Sequence, residues 1–238
     1  MVTTLYLVRH GETEGSGQMR YKGSIDVPMS ENGFEQIRST SAFIKEHLNE
    51  ASHANYLYDI HRSSGKEKNF ADQPNPIDTA NETIKLNAVY TSGLSRAATS
   101  ARIIAGPSGL TPVVLQDLRE RHFGIWEGMS FLEINKMHPE TFNAWAENPL
   151  RFSPTGGEST IEVRDRVIKA LDSILNRHQN EHIAVVAHGG VNRIILCHVL
   201  GIPLENIFRI EQDFAAVNVI EFWDRYPVVK LLNGGARG

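Results

Sequence analysis

The sequence has little cysteine, little net charge and no long apolar run, and each shortage excludes a class of protein. Its only cysteine, Cys197, cannot form a disulfide within the chain, and we expect it to pack in the core. A formal net charge of −4 provides no basic surface for nucleic acid or for an anionic membrane. No segment approaches the roughly 20 apolar residues of a membrane span, and the first residues lack the features of a signal peptide. We therefore expect a cytoplasmic protein with no nucleic-acid partner and no membrane partner.

The length and composition are those of an ordinary globular protein. The chain has 238 residues, of which 41% are hydrophobic and 22% are charged, and this is enough for one α/β domain over residues 1–238 with a well-buried core. Residues 49–87 differ, because they combine Pro74 and Pro76 with polar segments and show little periodicity. We interpret this stretch as an insertion, either mobile with short helical pieces or folded as an ordered flap over the site.

Two apolar segments of the chain end in similar residues. Segment 3–8 is predicted to be a buried strand, and Arg9 and His10 follow it directly. Segment 183–187 is predicted to be a second buried strand, and His188 follows it with two glycines. Ligands bind at the carboxyl edge of open α/β sheets, so the two imidazoles meet there if these strands are neighbours. A guanidinium group beside a neutral imidazole suits an anionic ligand.

Helices are predicted over 97–105 and 191–200, and capping residues, apolar spacing and aromatic residues predict three more helical regions. Ser30 is expected to cap a helix that carries apolar residues as far as Leu48. Glu158 and Ser159 precede a long amphipathic helix. Between these regions, the aromatic residues of 126–145 indicate one or two short helices that cover the site.

Five further segments are predicted to be strands. Short strands are expected at 88–91 and 113–115, and three more at 207–210, 217–222 and 228–232. The last three are too close together for helical crossovers. We therefore expect them to pair antiparallel at one edge of the sheet.

Five motifs occur in order along the chain. They are Arg-His-Gly-Glu-Thr, Ser-Gly-Leu-Ser-Arg-Ala, Leu-Arg-Glu-Arg-His-Phe-Gly-Ile-Trp-Glu-Gly, Gly-Gly-Glu-Ser and Ala-His-Gly-Gly. In this order they closely resemble the histidine phosphatase superfamily, the phosphoglycerate mutase-like enzymes, over almost the whole chain outside the insertion. The resemblance implies a three-layer α/β/α sandwich with a mostly parallel sheet and one antiparallel edge strand.

The resemblance also implies a role for each of five residues. His10 would be the nucleophile, transiently phosphorylated on a ring nitrogen. Arg9 and Arg96 would clamp the phosphoryl oxygens, and His188 would bind them as a further donor. Glu120 would protonate the leaving oxygen and then activate the water that hydrolyses the phosphohistidine. Phosphoryl transfer depends on positioning and on charge stabilisation, which these residue types can supply.

Some neighbouring residues have more than one interpretation. Glu127 is an alternative to Glu120 as the acid, and His122 is expected to be structural. A helix start would explain Glu158 and Ser159 without any part in catalysis. The other histidines show no shared metal-ligand spacing, so we expect neither a metal nor another cofactor.

The residues after the first motif depart from the family pattern. Many members have Trp-Asn where Gly15 and Ser16 stand here, so an amide that would donate to phosphate is replaced by the shorter hydroxyl of Ser16. We expect Arg20 or Lys22 to line the substrate entrance. The residues assigned to substrate binding outside the catalytic set are Ser16, Arg20, Lys22, Gly23 and Gly189.

Hydrolysis is the reaction that the sequence favours. Mutases of this family hold phosphoglycerate with basic residues after the acid, whereas residues 129–154 contain only two cations, Lys136 and Arg151. We therefore expect a metal-independent phosphomonoesterase that acts on a small phosphorylated metabolite. The sequence over 20–28 resembles small-metabolite phosphatases, among them α-ribazole phosphatases. The alternatives are a cofactor-dependent phosphoglycerate mutase and a non-catalytic phosphate-ligand sensor. The oligomeric state is open, with a homodimer as one option.

Overall fold

The structure is a computed structural model that describes residues 2–63 and 84–235. Six strands form one sheet in this part of the chain: β1 (Thr3–Arg9), β2 (Ala88–Thr91), β3 (Val113–Val114), β4 (His182–Ala187), β5 (Val217–Phe222) and β6 (Pro227–Gly234). The α-helices of the same residues are α1 (Glu31–Ser63), α2 (Ser95–Ala105), α3 (Phe131–Met137), α4 (Pro139–Glu147), α5 (Thr160–Arg177) and α6 (Gly189–Leu200).

The sheet is parallel apart from one strand. Its order is β3-β2-β4-β1-β5-β6, and the first four strands in this order pair in parallel. Strand β5 runs antiparallel to both β1 and β6, so it alone is reversed. The predicted antiparallel pairing of 217–222 and 228–232 is therefore confirmed.

Helices cover both faces of the sheet. Leu5 and Leu7 of β1 belong to a buried cluster that also contains residues of α5 and α6. Tyr6 and Val8 of the same strand belong to a second cluster with residues of α1 and α2. Because successive side chains of a strand point to opposite faces, this division makes three layers. The α/β/α sandwich expected from the sequence is thus confirmed, and β1 is buried on both faces because it lies inside the sheet.

The long amphipathic helix begins where the sequence predicted. Ser159 is the N-cap of α5: its hydroxyl accepts a hydrogen bond from the Glu162 amide, and the Glu162 carboxylate accepts one from the Ser159 amide. This capping box satisfies two amides at the helix start. The predicted cap of α1 is also present, since the Gly33 amide donates to the Ser30 hydroxyl over 3.1 Å.

The predicted strand at 207–210 is wrong. Residues Leu204–Arg209 form a 3-10 helix that starts after Pro203. Ile207 and Ile210 are both buried, and their spacing of three residues puts them on one face of this helical turn. A short apolar run cannot distinguish a strand from such a turn by periodicity alone.

Helix α1 extends into the stretch that we interpret as an insertion. Helix α1 continues to Ser63, well past the last predicted apolar position, Leu48. Residues 49–63 contain neither proline nor glycine, so nothing in this stretch ends the helix. The rest of the predicted insertion, except its last residues at 84–87, lies outside the described residues. Among the helices that are described, none is long and apolar enough to span a membrane.

Candidate active site

The two histidines predicted to meet lie next to each other at the carboxyl edge of the sheet. Strands β1 and β4 are direct neighbours, with Arg9 paired to Ala187 in their register. His10 and His188 follow these two residues, and their ring centroids are 5.1 Å apart. Both side chains are almost fully buried, with 6% and 1% exposure. The position matches the ligand-binding edge of open α/β sheets.

The His10 ring is held with one nitrogen committed to the backbone. Nδ1 lies 2.7 Å from the carbonyl oxygen of Gly11, so Nδ1 carries the proton and donates it. Nε2 then keeps its lone pair. Burial, followed by the charges of Arg9 and Arg96, holds the pKa of His10 well below its ordinary value. His10 is therefore a neutral imidazole with a free nucleophilic nitrogen.

The Arg9 guanidinium is fixed by an aromatic ring and by a carbonyl. Its Cζ atom lies 3.8 Å from the centre of the Phe214 ring, and NH1 donates to the carbonyl oxygen of Gln212 over 2.6 Å. Burial lowers the pKa of Arg9 to about 10, which leaves it charged at neutral pH. Its Nε atom is buried and has no hydrogen-bond partner among the described residues. A buried donor without a partner lowers the free energy of unfolding, unless a bound ligand accepts its hydrogen bond.

Arg96 connects the site to the loop after β1. It lies in the first turn of α2, is 3% exposed, and donates to the carbonyl oxygens of Lys22, Gly23 and Ile25 over 2.8–2.9 Å. These three bonds use part of its five donors. Arg96 therefore holds the entrance loop, and its charge is one of the causes that lower the pKa of His10. Its role as a phosphate clamp stays a prediction.

His188 presents a second unpaired donor position. Its Nε2 atom lies 2.8 Å from the hydroxyl oxygen of Ser92, whereas Nδ1 is buried with no partner in the described part of the chain. When Ser92 donates to Nε2, Nδ1 carries a proton that can be given to a phosphoryl oxygen. Burial, then the charges of His10, Arg96 and Arg9, lowers the pKa of His188 well below its ordinary value. The rise expected on binding a phosphate dianion stays a prediction.

Glu120 is held at the N-terminus of α6. Its Oε2 atom accepts a hydrogen bond of 2.9 Å from the Gly190 amide, and Oε1 accepts one of 2.9 Å from the Arg121 amide. A Cβ atom at Gly190 would lie 2.5 Å from Oε1, so a larger residue at this position would displace the carboxyl. The sequence prediction named Gly189 and missed Gly190. The second glycine after His188 was the available signal.

The alternative acid, Glu127, has a different set of partners. Its Oε1 atom accepts hydrogen bonds of 2.9 Å from the amides of both Ser24 and Phe123. It therefore ties the entrance loop to the segment that follows Glu120. Glu120 is likewise held by two backbone amides, but one of them belongs to Gly190, two residues after His188, and this position favours Glu120 as the acid.

The motif residues around position 158 are structural. Glu158 makes a bidentate ion pair of 2.8 Å with Arg166 and accepts a hydrogen bond from the His122 amide. Glu158 is thus not itself the cap, a role that Ser159 takes. His122 Nδ1 accepts from the Gly124 amide over 3.2 Å, in line with its expected structural role.

The two predicted entrance cations are both engaged elsewhere. Arg20 forms a bidentate ion pair with Glu133 at 2.7 and 3.0 Å, and it also donates to the Gly128 carbonyl. The Nζ atom of Lys22 donates to the carbonyl oxygen of Glu14 over 2.7 Å. Arg20 is thus held by its ion pair, whereas Lys22 uses one of its three donors, and a role of either in substrate binding stays a prediction.

The other three residues predicted to contact the substrate, Gly23, Gly189 and Ser16, are described here by their backbone surroundings. A Cβ atom at Gly23 would lie 1.8 Å from the Arg121 carbonyl oxygen, so glycine is required for this close approach. A Cβ atom at Gly189 would lie 3.5 Å from Arg9 Nε, which places Gly189 beside the clamp. Ser16 begins a short 3-10 turn, and its amide donates to the Thr13 carbonyl.

Besides Gly190, three residues of the site were not predicted from the sequence. Ser92 stands in a motif already noted, four positions before Arg96, and could have been considered. Phe214 and Gln212 lie on the loop before β5, and no local pattern marks them.

A cavity of 210 Å³ adjoins Glu120 and Gly190, and aromatic residues of the predicted cover line it. No group of three or more potential metal ligands occurs in the residues the structure describes.

The two buried imidazoles predict how stability depends on pH. Folding holds the pKa of His10 and of His188 well below the ordinary value, so the unfolded chain binds more protons below about pH 6.5. Their contribution is fully present above about pH 6.5 and is lost as the pH falls. The free energy of unfolding should fall toward about pH 5 by up to about 1.4 kcal/mol per pH unit for each ring.

Urea unfolding at several pH values checks this expectation. His188→Asn should flatten the pH dependence relative to the unmodified protein, whatever its effect on absolute stability. His198→Asn is the matched control, because His198 is an exposed histidine on α6. Identical slopes for the three proteins would contradict the assignment of a buried neutral ring at His188.

A neutral imidazole, two guanidinium groups, a second imidazole and a carboxyl group lie at one sheet edge, and together they suit an enzyme that acts on phosphate groups. The comparison with protein families agrees. The family model described as histidine phosphatase superfamily (branch 1) matches residues 5–60 and 77–234. The chain therefore belongs to the histidine phosphatase superfamily, as its motifs indicated.

Similar proteins include two phosphoserine phosphatases and one solved structure. Phosphoserine phosphatase 1 of Hydrogenobacter thermophilus is 28% identical over 230 residues, which cover 96% of this chain and 91% of that protein. The metal-independent phosphoserine phosphatase of Arabidopsis thaliana is 33% identical over 201 residues, covering 83% and 69%. The solved structure of Bacillus stearothermophilus YhfR superposes with a TM-score of 0.74 at 27% identity, covering 96% of each chain.

Proposed function

We propose that this protein is a metal-independent phosphomonoesterase that hydrolyses a small phosphorylated metabolite through a phosphohistidine on His10. The main support is the orientation of the His10 ring: its Nδ1 atom donates to the Gly11 carbonyl, which leaves the lone pair on Nε2. The names of two relatives, both phosphoserine phosphatases and one of them metal-independent, support the reaction class.

In the first step, Nε2 of His10 attacks the phosphorus atom in line with the leaving oxygen. The Nε2–P bond forms as the bond from phosphorus to the alcohol oxygen breaks. Glu120 transfers its proton to that oxygen, so the alcohol leaves uncharged. Arg9, Arg96 and His188 donate to the remaining phosphoryl oxygens, where charge accumulates.

In the second step, Glu120 acts as the base. Its carboxylate takes a proton from a water molecule as the water oxygen attacks phosphorus. The Nε2–P bond then breaks, which restores the neutral His10 and releases phosphate. Glu120 is protonated again and ready for the next ester, so the cycle closes without any metal ion.

The pairing of the two predicted entrance cations supports hydrolysis over the mutase alternative. A mutase has to retain phosphoglycerate by its carboxylate, but Arg20 is paired with Glu133 and Lys22 donates to a backbone carbonyl. The sensor alternative loses support because His10 and Glu120 both keep chemically competent environments. A cytoplasmic location and a homodimeric assembly stay predictions from the sequence.

Hydrolysis of 4-nitrophenyl phosphate in excess chelator tests the proposal. We expect the rate to change by less than about twofold between chelator and added magnesium, because no step uses a metal. Brief reaction with labelled substrate followed by denaturation should leave the label on His10, as an acid-labile and base-stable adduct. Loss of activity in chelator that a metal restores would overturn the proposal. Isomerisation of 3-phosphoglycerate faster than phosphate release would favour the mutase.

A further inference from the structure

A cavity adjoins Glu120, the residue proposed to protonate the leaving oxygen. Glu120 has to reach the leaving oxygen, so the group attached to that oxygen lies next to its carboxyl. Glu120 and Gly190 both line the cavity of 210 Å³. An apolar cavity of about 150 Å³ is enough to bind benzene, so this one has room for a single aromatic ring.

Aromatic side chains dominate the cavity walls. Phe131 of α3 and Phe142 of α4 both line it, with ring centroids 4.8 Å apart. Trp145 also lines it, and its ring lies 5.7 Å from that of Phe142. These contacts are edge-to-face or tilted, the arrangements that aromatic pairs prefer. A further aromatic ring can enter the same cluster in the same geometry.

Two of the lining rings are exposed in the absence of a ligand. Phe208 is 73% exposed and Phe131 is 46% exposed. Covering such apolar surface is favourable, and an apolar substituent of the substrate would do so.

The cations that line the cavity are already engaged. Arg121 donates to the carbonyl oxygens of Glu158 and Phe152 and to the Thr160 hydroxyl. Arg193 donates through Nε to the Ile210 carbonyl over 2.7 Å. A substrate ammonium group therefore meets aromatic walls and two guanidinium groups. A substrate carboxylate would have to compete with Glu211 for Arg193, whose NH2 atom lies 3.6 Å from the Glu211 Oε1 atom.

We propose that the preferred substrates are phosphate monoesters whose alcohol part carries an aromatic ring, held between α3, α4 and the 3-10 helix Leu204–Arg209. The proposal rests on the proposed function, since it assigns the leaving group to the Glu120 side of the site. It separates this chain from enzymes that select a charged, polar alcohol part.

The test compares esters whose leaving alcohols are chemically alike. Phenethyl phosphate and ethyl phosphate both release a primary alcohol, so a difference between them reports the ring and not the leaving group. We expect kcat/KM for phenethyl phosphate to exceed that for ethyl phosphate by at least about tenfold. Equal values, or higher values for phosphoserine or 3-phosphoglycerate, would overturn the proposal.

Substitution of two exposed cavity residues, with one matched control, tests whether the preference for the aromatic ester arises in the cavity. Phe131→Ala and Phe208→Ala should each lower the ratio of the two kcat/KM values by about threefold or more. Leu132→Ala is the control, because Leu132 follows Phe131 on α3, is 77% exposed and does not line the cavity. The ratio should stay within about twofold of the unmodified protein in that variant. A ratio that is unchanged in all three proteins would count against the cavity.

Binding of non-hydrolysable phosphonates separates this proposal from the proposed function. Calorimetry with phenethylphosphonate and ethylphosphonate measures the cavity preference without turnover. Tighter binding of the phenethyl compound with no hydrolysis of any ester would support the cavity and overturn the proposed hydrolysis. Hydrolysis of both esters together with equal binding of both phosphonates would support the proposed hydrolysis and overturn the aromatic preference.

Discussion

His10→Asn should lower kcat/KM for 4-nitrophenyl phosphate by about 10⁴-fold or more, because the variant lacks the nucleophilic ring nitrogen and the other imidazole of the site, His188, has its Nε2 atom on the Ser92 hydroxyl. The Asn amide can still donate to the Gly11 carbonyl, which the His10 Nδ1 atom contacts at 2.7 Å. The variant therefore removes the nucleophilic nitrogen while it keeps a donor for the local backbone. Steady-state kinetics and labelling with radioactive phosphate both report the change.

The control for this variant is another histidine of the same chain. His198→Asn alters an exposed ring on α6 and should leave kcat/KM within about twofold of the unmodified protein. Circular dichroism checks that His10→Asn still folds. Retention of more than about one per cent of the activity by a folded His10→Asn protein would contradict the nucleophile assignment.

The centre of the sheet could be predicted because its sequence pattern leaves little choice. Segments 3–8 and 183–187 are apolar on both faces, as expected for strands inside a parallel sheet. Each ends in a histidine followed by glycine, and neighbouring parallel strands bring such residues to one edge. The meeting of His10 and His188 thus depends on local sequence and one assumption about strand order.

Other parts of the fold depend on contacts between distant residues. The turn over Leu204–Arg209 is helical because Ile207 and Ile210 pack onto the cluster under α6, which a four-residue apolar segment does not reveal. Arg20 is withdrawn from the entrance by Glu133, 113 residues later in the chain. Such long-range ion pairs have no signature in the sequence around either partner.

The detailed geometry of the site was equally hidden. The sequence indicated Arg9 as a clamp, but it did not show that Phe214 and Gln212 hold its guanidinium. It indicated Glu120 as the acid, but not that the Gly190 amide holds its carboxyl. In both cases the partner lies on a different element, so only the packed chain reveals the contact.

Glu120→Gln should separate the two chemical steps. We expect kcat/KM for phenethyl phosphate to fall by about 10²- to 10⁴-fold, because its alkoxide leaves poorly without a proton. The rate at which 4-nitrophenyl phosphate forms the phosphoenzyme should fall much less, because nitrophenolate leaves without protonation. Attack by water still needs the Glu120 carboxylate as a base, so the phosphohistidine should accumulate.

Stopped-flow measurement of nitrophenol release gives the sharpest form of this prediction. In Glu120→Gln, a burst close to one nitrophenol per enzyme should precede a slow steady state. Gly190→Ala should give a related pattern, since a Cβ atom there would lie 2.5 Å from Oε1 and displace the carboxyl. Glu127→Gln is the matched control: it disturbs hydrogen bonds to Ser24 and Phe123, so it should lower stability without producing a burst. If Glu120→Gln lowers kcat/KM equally for both esters and shows no burst, Glu120 takes part in neither proton transfer. A burst in Glu127→Gln would assign the two proton transfers to Glu127.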